Sequence, residues 1–69
     1  MTTLTALVQQ VQSERLLVWD PASRQEVLVH TTQAFCFRPG EWVRIHYNGV
    51  MTASIPPQIT ATCIDRICR

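Results

Sequence analysis

Between Leu16 and His30 two apolar runs face each other across Asp20-Pro21-Ala22-Ser23, and no other stretch restricts the fold as tightly. Pro21 presets φ for the first central position of a type I turn and the Asp20 carboxylate can bond forward to the backbone, so the tetrapeptide predicts a hairpin joining Leu16–Trp19 to Gln25–His30. Side chains alternate between the two sides of a strand. A four-residue loop then sets Trp19 opposite Arg24 and puts Leu16, Val18, Gln25, Val27 and Val29 on one side, with Leu17, Trp19, Arg24, Glu26, Leu28 and His30 on the other. A Glu26 carboxylate in a small core would be costly without a partner. The valine-rich side is therefore expected inward, and Leu17, Trp19 and Leu28 form an outer patch that needs a cover. Phe35 and Phe37 are the expected cover from within the chain. Failing that, the patch marks a contact with a partner protein or a second copy, with Leu17, Trp19, Arg24, Leu28 and His30 as its residues.

The rest of the chain continues the theme. Val, Ile and Thr supply 20 of the 69 residues, and such side chains lose χ1 freedom in a helix but fit a pleated surface. A first strand is expected over Leu4–Val11, with Ser13-Glu14-Arg15 as the following turn. Thr31 to Phe37 loses the alternation and has room for one or two helical turns at most. After Arg38-Pro39-Gly40-Glu41, the segment Trp42–Tyr47 alternates cleanly and meets Asn48-Gly49, which predicts a tight type I′ hairpin with the chain turning back from Val50. Pro56-Pro57 cannot donate to a ladder, so the last strand is expected over Gln58–Ile67. The expected fold is a single all-β domain, residues 1–69, forming a small OB-like barrel of about five strands with at most one short helical turn.

The run Phe37-Arg38-Pro39-Gly40-Glu41-Trp42 resembles the Pro-Gly-Asp/Glu turn that feeds a strand in small bacterial OB-like barrels. Its continuation, Tyr47-Asn48-Gly49 through Ser54-Ile55-Pro56-Pro57-Gln58, is similar to the Tyr-Asp/Asn-Gly and Ser-x-Pro-x-Gln pattern of the uncharacterised DUF3221-type family of Firmicutes. With the strands before it, the resemblance covers most of the chain. It implies a compact binding barrel with no assigned ligand, and the matching positions are turn and core residues. With no lipoprotein or secretion signal among residues 1–69, the chain is expected to differ from the membrane-attached members.

Charge and spacing exclude several classes. A formal net charge of +1, with all six basic residues arginine and spread along the chain, provides no field to draw in phosphate backbones. Single-stranded nucleic acid or an oligosaccharide is still the alternative ligand, because OB-type barrels bind such chains on an aromatic face. Trp42, Arg44 and His46 form the alternative stacking surface. Cys36, Cys63 and Cys68 are an odd set, expected as free thiols, and neither C-x₂-C nor H-x₃₋₅-H spacing occurs, so no metal and no cofactor is expected. Ser54 or Cys36 could be a nucleophile and His30 or His46 a base, but no elbow or glycine-rich loop places them together, and the chain is not expected to be an enzyme. With no basic leader and no long apolar run, it is expected in the cytoplasm, away from membranes.

Overall fold

The computed structural model describes Thr2 to Ile67. Five strands, β1 (Thr2–Val11), β2 (Arg15–Asp20), β3 (Gln25–His30), β4 (Trp42–Tyr47) and β5 (Gln58–Arg66), close into a small barrel in the order β1-β2-β3-β5-β4. Neighbours are antiparallel except β3 and β5, which pair in parallel at Leu28–Gln58, Val29–Ile59 and His30–Thr60. The only helical element among the described residues is a single 3₁₀ turn, Ala34–Cys36, so the all-β expectation holds. Among the described residues, no helix is long and apolar enough to cross a membrane.

The first strand is the longest and serves two partners. Its N-terminal half pairs with β4 and its C-terminal half with β2, and Leu7 pairs on both sides, with Trp42 and with Trp19. A register shift between Val8 and Gln10 inserts one extra residue just beyond that point, which bends the strand as bulges do and lets so few strands close. Inside, Ala6, Val8, Leu16, Val18, Val27, Val29, Val43, Ile45, Tyr47, Ile59 and Ile64 fill the barrel, and Ala34 and Phe37 join the same cluster from the connection between β3 and β4. Each fully buried Val, Leu or Ile removed from water contributes about 1.5–3 kcal/mol, and a chain this short has little else to hold it.

The hairpin sides fall as the alternation predicts, with one correction to the register. Asp20 pairs with Gln25 and Trp19 with Glu26, so Trp19 does not face Arg24. The loop is Pro21–Arg24, shifted by one at each end, because Asp20 stays in the strand while its carboxylate accepts from the Ala22 N–H at 3.0 Å and the Ser23 hydroxyl at 2.6 Å. Arg24 closes the turn in the left-handed region with φ 55°. A two-residue shift preserves which side each residue takes, so Val27 and Val29 are still buried and Glu26 is still exposed.

A second correction concerns Asn48-Gly49. The tight hairpin does not form: Tyr47 pairs with Ala61, and residues 48–57 make a ten-residue connection with no strand in it. The Asn48 Oδ1 accepts from the Val50 N–H at 3.0 Å, and Gly49 turns the chain away at φ +91°. The two signals are used, but as the opening of a loop. Residues 50–57 have no alternation to pair back with, and their two prolines remove ladder donors. The Ile55–Pro56 peptide bond is cis. The last strand ends at Arg66, one residue earlier than expected.

Candidate functional site

Two surfaces stand out from the regular barrel. The first joins residues that the sequence had placed in separate patches. Trp19 on β2, Leu7 on β1 and Trp42 on β4 are consecutive partners across three adjacent strands. Directly opposed residues hold their Cβ atoms about 4.5–5.5 Å apart, so the outer patch and the alternative stacking surface meet through Leu7. Leu17 and Leu28 are opposite one another on the same outer side, and all five side chains are half-buried. Sequence reasoning passed over Leu7, although the alternation of β1 outward from buried Ala6 and Val8 identifies it. The exterior of a closed barrel is convex, so these residues form a ridge.

The expected cover for this ridge is not supplied. Phe35 is 77% exposed, while Phe37 is 6% exposed and belongs to the barrel core. A latch at the C-terminal end of β5 fixes this connection. Arg66 Nε donates to Glu41 Oε2 at 2.6 Å, its Nη2 donates to the Cys36 carbonyl, and its guanidinium lies over the Phe37 ring at 5.2 Å. The Arg66 hydrogen bond holds the Glu41 carboxyl below its ordinary pKa against the opposing effect of desolvation, helped by the Arg38 N–H on Oε1 and by both positive charges. Phe37 thus plugs the end of the barrel, and the arginine–aromatic contact lies here, away from Trp19.

Around the ridge the remaining candidates are dispersed. His30 Nε2 and Gln58 Oε1 are 2.8 Å apart, so His30 is tied to β5, and Arg24 belongs to the turn. On β4, Arg44 pairs with Asp65, and His46 Nε2 lies 3.0 Å from the Asp65 carboxylate. Cys36 and Cys63 are exposed free thiols, and Cys68 lies outside the described residues. Among the described residues, no three His, Cys, Asp or Glu side chains are arranged to hold a metal ion. Ser54 and Cys36, the nucleophile candidates, have no hydrogen bond to either histidine among the described residues.

The second surface is the loop from residue 48 to 57, which stands beside β3 and leaves an open cleft lined by Gln25, Glu26, Met51 and residues 52–57. Met51 packs against the barrel core and anchors the loop. The Thr52 N–H donates to the Gln58 carbonyl at 3.0 Å, and the Gln58 N–H donates to Thr52 Oγ1 at 3.0 Å, closing the base. From there a chain of hydroxyls crosses the tip: Thr52 Oγ1 lies 2.7 Å from Ser54 Oγ, which donates to the Pro56 carbonyl at 2.9 Å. Thr52 through Ile55 are exposed, and the Ile55 side chain is 99% exposed. Searches for a matching family model, a curated relative or a similar solved structure find none. The geometry alone carries the functional reading. A braced loop that presents an apolar side chain wholly to water gains nothing for the fold from that side chain.

Proposed function

We propose that the chain is a non-enzymatic protein-binding module and that the loop of residues 50–57 is its principal contact. The carrying observation is the pairing of complete exposure at Ile55 with a hydrogen-bonded brace that fixes the segment presenting it. A loop already held in shape loses little conformational freedom on binding, and that saving appears directly as affinity. Small ligands sit in concavities, whereas a protruding loop fits a groove on a second protein.

The ridge supports a second reading, self-association. Half-exposed Leu7, Trp19 and Trp42 with Leu17 and Leu28 make a continuous apolar strip, which a second copy would cover. The closed five-stranded barrel with its one parallel pair, β3–β5, supports reading it as OB-like, and on that reading single-stranded nucleic acid or oligosaccharide is the alternative ligand. Glu26 works against nucleic acid: it pairs with Trp19 and lines the cleft beside the loop, putting a carboxylate where a phosphate would pass.

Immobilised protein and its Ile55→Asp and Leu28→Glu variants, challenged with cell extract, separate these readings. The loop reading expects a protein retained by the unaltered chain and by Leu28→Glu and lost with Ile55→Asp. Self-association expects a dimer in light scattering that Leu28→Glu dissociates. Salt-sensitive oligo-dT binding tighter than about 10⁻⁶ M, beyond the non-specific range, together with quenching of Trp19 or Trp42, would move the reading to nucleic acid.

A further inference from the structure

A second cleft shares no residue with the loop, and strand register builds it. Arg15 on β2 is directly opposite His30 on β3, and His30 is in turn opposite Thr60 on β5. Their strand neighbours Leu16, Val29 and Ile59 are buried in the barrel, so alternation turns all three side chains outward. Adjacent strands are about 4.7–4.9 Å apart, and the row therefore sets a guanidinium, an imidazole and a hydroxyl side by side. All three line an open cleft of about 550 Å³, within the size range of small-molecule sites.

Nothing in the described chain neutralises the cationic end of this row. Among the described residues the Arg15 guanidinium has no hydrogen bond or ion pair, although Glu14 is next to it in sequence and lines the same cleft. His30 Nε2 is held 2.8 Å from Gln58 Oε1, which fixes the ring and leaves Nδ1 without a partner among the described residues. Backbone bonds tie the surroundings together. The Gln12 N–H donates to the Arg15 carbonyl at 2.9 Å, the Thr31 N–H to the Glu14 carbonyl at 3.0 Å, and the Gln33 N–H to Thr31 Oγ1 at 3.1 Å. The β1–β2 turn and the residues after β3 are thus joined across the cleft before any ligand arrives.

The row suits a phosphate group. A guanidinium forks onto two phosphate oxygens, an imidazolium donates from both ring nitrogens, and the Thr60 hydroxyl adds a further donor. One phosphate needs only this local pair of cations, so the net charge of +1 that disfavours a polyanion does not count against it. The rest of the lining includes Thr31, Thr32, Gln33 and the Glu14 carboxylate. A carboxylate repels a second phosphate but accepts hydrogen bonds from hydroxyls, and it therefore favours a hydroxylated body over a bare anion. No Trp, Tyr or Phe lines the cleft, which leaves a nucleobase no ring to stack on. We propose that this cleft binds a phosphorylated sugar, its phosphate on Arg15, His30 and Thr60 and its hydroxyls on Glu14, Thr31 and Gln33. The site is independent of the protein-binding loop.

The test titrates the full chain with glucose 6-phosphate, fructose 6-phosphate and ribose 5-phosphate, and with the unphosphorylated sugars, inorganic phosphate and AMP as controls, by calorimetry and amide shift mapping. At least one sugar phosphate should bind and move the amides of Arg15, residues 30–33 and Thr60, leaving residues 52–55 unmoved. Its parent sugar, inorganic phosphate and AMP should each bind about 10-fold or more weakly, the effect of losing a hydrogen bond to a charged group. Arg15→Gln should weaken the sugar phosphate by a similar factor of about 10 or more, whereas Glu14→Gln should weaken it without weakening inorganic phosphate. Both residues are exposed, so the melting curves of the variants should match that of the unaltered protein. The proposal is overturned if none of the three sugar phosphates moves the cleft amides, if inorganic phosphate or AMP binds as tightly as the best of them, or if Arg15→Gln binds it unchanged. Ile55→Asp should bind the sugar phosphate like the unaltered chain, so failure of the loop reading and failure of the cleft are read separately.

Discussion

The ridge on β2, β1 and β4 and the loop of residues 50–57 both place apolar side chains at the surface, but they do so for opposite reasons. On the ridge, exposure follows from register. Once Val18, Val27 and Val29 fill the barrel, their strand neighbours Trp19 and Leu28 must point outward, and neighbouring strands cover half of each. In the loop nothing in the fold requires Ile55 to be outside. It is 99% exposed because a local set of hydrogen bonds keeps the segment away from the barrel. An apolar residue exposed by pleating is ordinary; one held out by a dedicated brace points to use. Changes to the ridge should therefore register mainly in stability, and changes to the loop mainly in binding.

The largest expected effect lies beneath the ridge. Leu16→Ala removes a fully buried side chain and should destabilise by about 2–5 kcal/mol. A chain of this length has roughly 3–10 kcal/mol in total, so the variant should melt near ambient temperature, whereas Ile55→Ala should melt with the unaltered protein. Equal losses from the two substitutions would erase the distinction between the regions. On the ridge itself, Trp19→Ala should cost about 1–2 kcal/mol in denaturant unfolding, less than the value for a fully buried aromatic because half the ring is already in water.

How far each region can be read from sequence follows from the same contrast. Alternation at Leu16–His30 and Trp42–Tyr47 specifies which side chains enter the barrel, because the period of two leaves no third choice. An error of two positions at Trp19 therefore left every residue on its correct side. Local chemistry is less tractable. Asn48-Gly49 permits a tight turn, yet the Asx bond to Val50 and the anchoring of Met51 in the core carry the chain into a loop instead. Phe37 has the same look as Phe35 in sequence, and only the Arg66 latch and the barrel end decide that one is core and the other solvent. The side-chain bonds among Thr52, Ser54, Pro56 and Gln58 have no period at all, so the most distinctive surface of the molecule was invisible to pattern reasoning.

Smaller effects sharpen the comparison. Thr52→Val should lower stability by only about 0.5–1.5 kcal/mol, the net worth of a typical hydrogen bond, while its effect on partner binding should be much larger; proportionate losses would mean that the brace serves the fold. The latch is expected to give the slightest change, and one that depends on pH. Glu41 has its pKa lowered in the folded protein, chiefly by Arg66, so its contribution is present above the ordinary glutamate value of about 4.3 and is lost as pH falls through the depressed folded value. Melting temperatures of the unaltered protein and Glu41→Gln should differ by a constant amount above about pH 5, well clear of that ordinary value, and converge in acid. A gap that widens in acid would show the opposite sign of coupling.

The central claim is that the loop is held in its presenting shape before any partner arrives, and ¹⁵N relaxation reads this directly. The amides of Thr52, Ala53, Ser54, Ile55 and Gln58 should give order parameters of about 0.85, matching β2 and β4. Values under about 0.6 across Thr52–Ile55, with the strands rigid, would show a floppy loop and contradict the account.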